Sequence, residues 1–275
     1  MTALAYVFSA GGFAIAADGF NVLNTEGLYE VVSRKAQKIF PITGIGREAA
    51  SSLTGRITLY NKISDKVPVF NFATEFARAA EEIRNQPARD AGQFMYEVCS
   101  IVQKRLRDVK EQGRLERYPS PMGSRLGQRG RSIVVIFLDG YFNDAPYRSG
   151  VRFFHDNQEL GFEYAPHSLD SASRIHLLGS PSVARCLVDA QDTRLRQYRT
   201  EAYLRGLQQE SLEITTLTLD DAVEIARNYV AACSDLSAIE VDPFCEWFGG
   251  HHQIATITPK DGFQWVLRPE QFDQV

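Results

Sequence analysis

The sequence predicts an α+β fold of four layers, an αββα sandwich of two antiparallel sheets flanked by helix pairs. Three observations predict it. Apolar runs and helical periodicities follow one another in the order strands, two helices, strands, two helices, strands. The helices of both pairs are amphipathic, so each has an apolar face to bury on a sheet. The opening strands are apolar without clean alternation, the pattern of a sheet covered on both faces.

Residues 3–9 (ALAYVFS) and 12–17 (GFAIAA), split by Ala10-Gly11, read as a β-hairpin. Residues 34–42 (RKAQKIFPI) and 49–54 (AASSLT) read as further strands, and the short side chains of the second suit a backbone that approaches something closely. Phe72, Phe76, Ala80 and Ile83 then repeat at helical spacing up to Pro87, and Phe94, Val98, Ile101, Val102, Arg105 and Val109 do so up to Gly113. Strands return at 132–138, 151–154 and 161–164, in a meander with polar turns. Residues 181–208 and 219–234 form the second helical pair, the latter opening on a capping-box-like Thr218-Leu-Asp-Asp221. Asp220 and Asp221 complement the dipole at that helix start and are not catalytic. Residues 252–258 and 263–266, joined through Lys260-Asp261-Gly262, close the chain as a hairpin.

Composition bounds the function. The chain has 275 residues, 44% of them hydrophobic, enough for one large domain spanning 1–275, with longer loops near 56–70 and 113–131. Thirty Lys and Arg against 34 Asp and Glu give a charge of -4, which offers no reason to expect nucleic acid or a membrane as partner. Residues 113–131 hold five Arg, but without interleaved aromatics they read as an exposed connection. The four Cys are scattered, and no signal-peptide core or long apolar run is evident, so a reducing cytoplasm is the expected compartment. Cys233, Cys245, His251 and His252 match no compact zinc spacing, so no metal is expected, and nothing calls for a cofactor.

The chemistry starts at Thr2. Aminopeptidases remove an initiator Met that precedes a small residue, which makes Thr2 the expected N-terminus. A terminal Thr carries a hydroxyl nucleophile and, on the same residue, an amine that can take its proton.

From here the chain resembles the proteasome β-subunit and HslV branch of the N-terminal-nucleophile hydrolases. The resemblance lies in the collinearity of several pieces: Thr2 opening a strand, GG-x5-D from Gly11 to Asp18, and K-I-F-P-I at 38–42. A small-residue strand ending at Gly55, IVVIFLDG at 133–140, LLGS at 177–180, DDAVEIARNYVAACSD, and GG followed by KDGFQWV complete it.

The resemblance implies roles residue by residue. Thr2 is the nucleophile, and Asp18, sixteen residues on, is the acidic partner that holds a lysine in place. Lys38 is the first candidate for that lysine and Lys35 the second. A desolvated ammonium near the hydroxyl lowers the hydroxyl pKa. Gly55 aligns with the glycine whose N–H forms the oxyanion hole, ahead of Gly46. Ser180 and Asp235 match the residues supporting the terminal amine, although Pro181 replaces a usual glycine. Phe248 stands before Gly249-Gly250 where the family has a serine, and the segment from Asp235 to Gly249 is longer than usual. Asn21, Ala36, Leu53 and Ile57 would border an uncharged substrate pocket.

The implied activity is a threonine-type amide hydrolase acting on peptides or proteins, in a homo-oligomeric ring or spiral, with an unfoldase partner unspecified. The alternative is a catalytically inactive proteasome-like assembly or binding protein, which retention of Met1 would favour.

Overall fold

The computed structural model describes residues 2–25, 28–42, 47–55, 57–60, 68–86, 90–115, 131–156, 159–167, 169, 175–202, 204 and 217–269. The first half holds strands β1 (Leu4–Ser9), β2 (Gly12–Ala17), β3 (Asn21–Thr25), β4 (Leu28–Ser33), β5 (Ile39–Ile42), β6 (Arg47–Gly55), β7 (Thr58–Tyr60) and β8 (Pro68–Asn71). Helices α1 (Phe72–Glu82) and α2 (Ala91–Glu111) follow, then β9 (Arg131–Phe142), β10 (Ala145–Asp156), β11 (Glu159–His167) and β12 (Ile175–Leu178). The last part is α3 (Pro181–Val188), α4 (Leu219–Cys233), β13 (Gln253–Thr258) and β14 (Gly262–Leu267). Short 3-10 turns lie at Arg196–Tyr198, Leu236–Glu240 and Pro243–Trp247.

The chain divides into two compact units, one from Met1–Ile39 with Ser168–Gln274 and the other from Phe40–His167. The first unit is built on a five-stranded sheet in the order β12-β1-β2-β13-β14, with every described pairing antiparallel. All of β1, β2 and β13 is buried, in agreement with the unalternating apolar pattern of the sequence. Alternate residues of the sheet (Ala3, Ala5, Val7, Ala14, Ala16, Ile254) join the apolar faces of α3 and α4 in one core. The small alanines let α4, with its buried Ile225, Tyr229 and Val230, lie close on β1 and β2. A capping box at Thr218 and Asp221 fixes where that helix starts.

The second unit is built on a five-stranded sheet in the order β11-β10-β9-β6-β5. Its long strands β9 and β10 turn at Asn143-Asp144, both at positive φ (50° and 62°), the conformation that a tight hairpin demands and Asn and Asp tolerate. Helices α1 and α2 bury Phe72, Phe76, Phe94, Val98 and Val102 against Ile136, Leu138 and Phe153 of this sheet. Asn71 and Asp90 cap the two helices through side-chain acceptance from Thr74 and Gln93.

Three expectations change in detail. The strand expected over 34–42 is reduced to β5, because Arg34–Lys38 leaves the sheet to form other bonds described below. The helix expected over 181–208 stops at Val188, where Arg199 reaches back to donate to the carbonyls of Cys186 and Leu187 at 2.9 and 3.0 Å. Helix resumes at 201–202 and 204, and residues 203 and 205–208 lie outside the described residues, as do Pro87 and most of the basic stretch 113–131. Two hairpins, β3–β4 and β7–β8, and strand β12 add to the expected elements. No helix among the described residues is long and apolar enough to cross a membrane.

Candidate active site

The first hairpin positions the site. Leu4 pairs with Ala17, and the register continues one step, with Asp18 N donating to Ala3 O at 3.1 Å. Asp18 therefore lies across from the residue that follows Thr2. Its Oδ1 accepts the Ala3 N–H at 2.9 Å and the Lys38 Nζ at 2.5 Å. Its Oδ2 accepts the N–H groups of Phe20 at 3.3 Å and Gly249 at 3.2 Å. The side chains of Lys38 and Asp18 are 1% and 0% exposed, so this is an ion pair removed from water with its oxygens fully engaged. Burial pulls the Lys38 ammonium below the usual lysine range, against the opposing attraction of Asp18.

Of the two candidate lysines, Lys38 is the one that reaches Asp18; Lys35 is exposed on the preceding turn. The segment that delivers Lys38 is held at several points. Ala36 N donates to Gly19 O at 2.8 Å, and His251 N donates to Arg34 O at 2.9 Å. Gln253 accepts from the Lys38 N–H at 3.0 Å. The Gly249-Gly250 pair serves this packing: Gly250 has φ 76°, and a Cβ there would stand 2.2 Å from Arg34 O.

Thr2 is buried, at 7% exposure. β1 pairs antiparallel with β12, and Leu4 lies opposite Leu178 at the end of that register, two residues from Thr2 and from Ser180. A Cβ added at Gly179 would come 3.4 Å from Thr2 O, which shows how closely this turn follows the start of the chain. Ser180 caps α3 by accepting from Val183 N at 3.1 Å, and its hydroxyl donates to Asp242 Oδ2 at 2.6 Å. The backbone of Ser180 exchanges hydrogen bonds with the Tyr229 hydroxyl at 3.1 and 3.3 Å.

Asp235 does something different from Asp242. It caps the Leu236–Glu240 turn, accepting from Ser237 N at 2.8 Å, Ser237 Oγ at 2.6 Å and Tyr198 OH at 2.6 Å. Those donors hold its carboxyl below the usual range, while burial and then Asp235 push Tyr198 up to about 12. The turn continues through Asp242 N, which donates to Ala238 O at 2.8 Å, so Asp235 shapes the segment that presents Asp242 to Ser180.

In the second unit, Gly55 ends β6 opposite Val134 at φ 101°, where a Cβ would lie 2.8 Å from Ile133 O. Glycine is therefore required by the backbone at that position. Leu53 and Ile57 are buried in the core of the same unit. Asn21 and Ala36, in the first unit, are half-buried. Gly46 lies outside the described residues, as does Met1.

Among the described residues no group of three or more His, Cys, Asp or Glu is arranged to hold a metal ion. Burial pushes the Cys233 thiol up, and the Cys245 thiol up to about 11. Both are thus poor thiolates near neutral pH. His251 shares a 2.7 Å hydrogen bond with Arg268 O, and burial lowers the pKa of half-buried His252.

Sequence reasoning missed Asp242 and Gln253. Asp242 opens a 3-10 turn as Asp-Pro, a common signature of a plain cap, and Gln253 occupies an ordinary polar position of a strand. Only the three-dimensional return of 34–38 and of 235–249 to β1 and β2 gives either residue a task.

No protein-family model and no curated protein matches the chain. Among solved structures it is similar to the Anbu (Gly-1) mutant from Hyphomicrobium sp. strain MC1, at 8% identity and a TM-score of 0.47, over 98% of this chain and 89% of that one. It is also similar to Thiobacillus denitrificans BPH in complex with epoxomicin, at 16% identity and a TM-score of 0.41, over 94% of this chain and 98% of that one.

Proposed function

We propose that this chain is a threonine-type N-terminal-nucleophile amide hydrolase, a proteasome-like peptidase acting through Thr2 once Met1 is removed. One observation carries the reading: the buried Lys38–Asp18 pair is bonded to the N–H of Ala3, the residue joined to Thr2. A desolvated ammonium near a hydroxyl favours the alkoxide form of that hydroxyl, which is the role proposed for Lys38.

In the proposed reaction the Thr2 hydroxyl attacks the scissile carbonyl and its proton passes to the free α-amine. The C–N bond then breaks, the α-amine returns the proton to the leaving amine, and an ester to Thr2 remains. Water hydrolyses that ester with the α-amine again as base. Asp18 fixes Lys38, and the Gly55 N–H is the proposed oxyanion donor. Ser180, with Asp242 behind it, is the proposed support of the α-amine. Asp235 contributes by shaping the turn that carries Asp242. Asn21, Ala36, Leu53 and Ile57 are the proposed borders of the pocket. The side chains of the last two are engaged in their own core, so Asn21 and Ala36 are the positions at which to read substrate preference.

The reading carries with it a four-layer architecture, a cytoplasmic homo-oligomer of ring or spiral form, a peptide or protein substrate and no cofactor. An inactive assembly protein is the second reading. It is favoured by Phe248, which stands at the family's serine position and is packed in the core instead.

Intact mass separates the two. A preparation lacking Met1, labelled covalently at Thr2 by a peptide epoxyketone, supports the hydrolase, because that warhead requires both hydroxyl and free amine. Thr2→Ala and Lys38→Ala should each lower turnover by about 10⁴-fold while leaving assembly intact. A mass that includes Met1, or a free Thr2 that no epoxyketone labels, supports the inactive reading. Full activity in Lys38→Ala would remove the lysine from the mechanism.

A further inference from the structure

We infer that Gln253 is the positioning residue that sets the place of the Lys38 ammonium, by clamping the backbone on both sides of Lys38 to the strand beside Asp18. The inference rests on the proposed threonine-hydrolase reading only for its effect on turnover; the clamp itself is geometric.

Gln253 is fully buried and sits on β13 opposite Ala17, the residue before Asp18. All of its amide is used on one stretch of chain. Oε1 accepts the N–H groups of Lys38 at 3.0 Å and Ile39 at 3.4 Å, and Nε2 donates to Ala36 O at 2.6 Å. That stretch lies in no strand until Ile39, so it has no sheet ladder of its own over residues 34–38. A side-chain amide is the one uncharged group with a double acceptor and a donor in a single plane, which is what an N–H, N–H and C=O presented together require. The side chain thus substitutes for a missing strand partner. The two ends of the ion pair are fixed by neighbouring rungs of the same sheet: Asp18 by the end of β2, and Lys38 through Gln253 on β13.

Buried polar groups left without partners relax by moving toward water. Removing the amide frees two N–H groups and a carbonyl around Lys38, and the lysine moves with them. A displacement of about 1 Å at a catalytic group is enough to cost about 100-fold in rate.

Two readouts test this, one of them independent of activity. The Lys38 side chain is observed by NMR in protein carrying isotope-labelled lysine, with Lys38→Ala identifying its resonance. In Gln253→Met, similar in length but without hydrogen bonds, the Lys38 titration is expected to move up toward the ordinary lysine value as the ammonium gains water. In turnover assays Gln253→Met is expected to lose about 100-fold in kcat with KM within about threefold.

An unchanged Lys38 titration in folded Gln253→Met overturns the proposal, as does a loss confined to KM. Should Gln253→Met not fold, Gln253→Asn, too short to span Lys38 N and Ala36 O together, carries the same expectations. A native protein that neither turns over nor takes the epoxyketone defeats the threonine-hydrolase reading, and the Lys38 titration still decides the role of Gln253.

Discussion

A carboxylate taken out of water costs several kcal/mol unless donors replace its hydration, and at Asp18 four do: three backbone N–H groups and the Lys38 ammonium. Among the described residues Lys38 Nζ has Asp18 as its partner, and burial dominates, so its pKa in the fold lies below 10.5. The sign of the pH dependence follows. The unfolded chain binds the Lys38 proton more tightly than the native one, so unfolding free energy rises with pH from the folded pKa up to 10.5. Urea melts across that window should show a rise in the native protein that Lys38→Met lacks; parallel curves for the two would refute the assignment. Gly250 gives a second expectation at this scale. Its φ of 76° and the 2.2 Å that a Cβ would leave to Arg34 O make Gly250→Ala both strained and crowded. A stability loss of about 2–4 kcal/mol should appear in the same melts. A loss below about 0.5 kcal/mol, the range of an ordinary surface substitution, would show that the segment yields easily.

Strands and helices explain which parts of this arrangement the sequence discloses. The β1–β2 and β13–β14 hairpins are legible because Gly11-Gly12 and Asp261-Gly262 mark their turns between continuous apolar runs. Helices α1, α2 and α4 are legible from periodicity, since each buries one face. The β3–β4 hairpin is not, because its pairing is a separate two-stranded sheet whose residues share neither a strict alternation nor a turn signature. Thr2, Asp18 and Lys38 can be proposed from the family resemblance, whereas the contact of Lys38 with Asp18 depends on a detour of 34–38 that no local pattern encodes. Asp242 is hidden for a related reason: a 3-10 turn after Asp235 carries it back to Ser180, 62 positions earlier. In the other sheet, Asp139 on β9 and Arg148 on β10 face each other in register and form an ion pair 0% and 1% exposed. Breaking it by Arg148→Met should cost about 3–5 kcal/mol, because the carboxylate stays buried. The double variant Asp139→Leu with Arg148→Met should recover most of that loss in chemical denaturation, and a double variant as unstable as the single one would contradict the desolvation argument.

At the scale of the whole molecule, the chain order makes an uneven demand on folding. The second unit is one continuous segment, Phe40–His167, while the first is assembled from Met1–Ile39 and Ser168–Gln274 and must bring its ends together across that segment. Each unit has its own apolar core, one around Phe72, Phe76, Val98 and Phe153, the other around Ala5, Ala16, Ile225 and Tyr229. The proposed site residues Thr2, Asp18, Lys38, Ser180 and Asp242 all belong to the discontinuous unit, whose closure carries the greater loop entropy. Separate cores of this kind open as separate cooperative units. Phe153→Ala, which empties the middle of the second core, should cost that unit about 3–5 kcal/mol. Native-state hydrogen exchange read by mass spectrometry should then show amides of β9, β10 and β11 losing protection while those of β1, β2 and β13 keep theirs. In the reverse experiment, Tyr229→Ala should expose the first unit's strands and abolish whatever reactivity Thr2 has toward an epoxyketone. Equal loss of protection in both sheets from either variant would mean that the cores unfold as one, and that the ion pair at the start of the chain draws its stability from both.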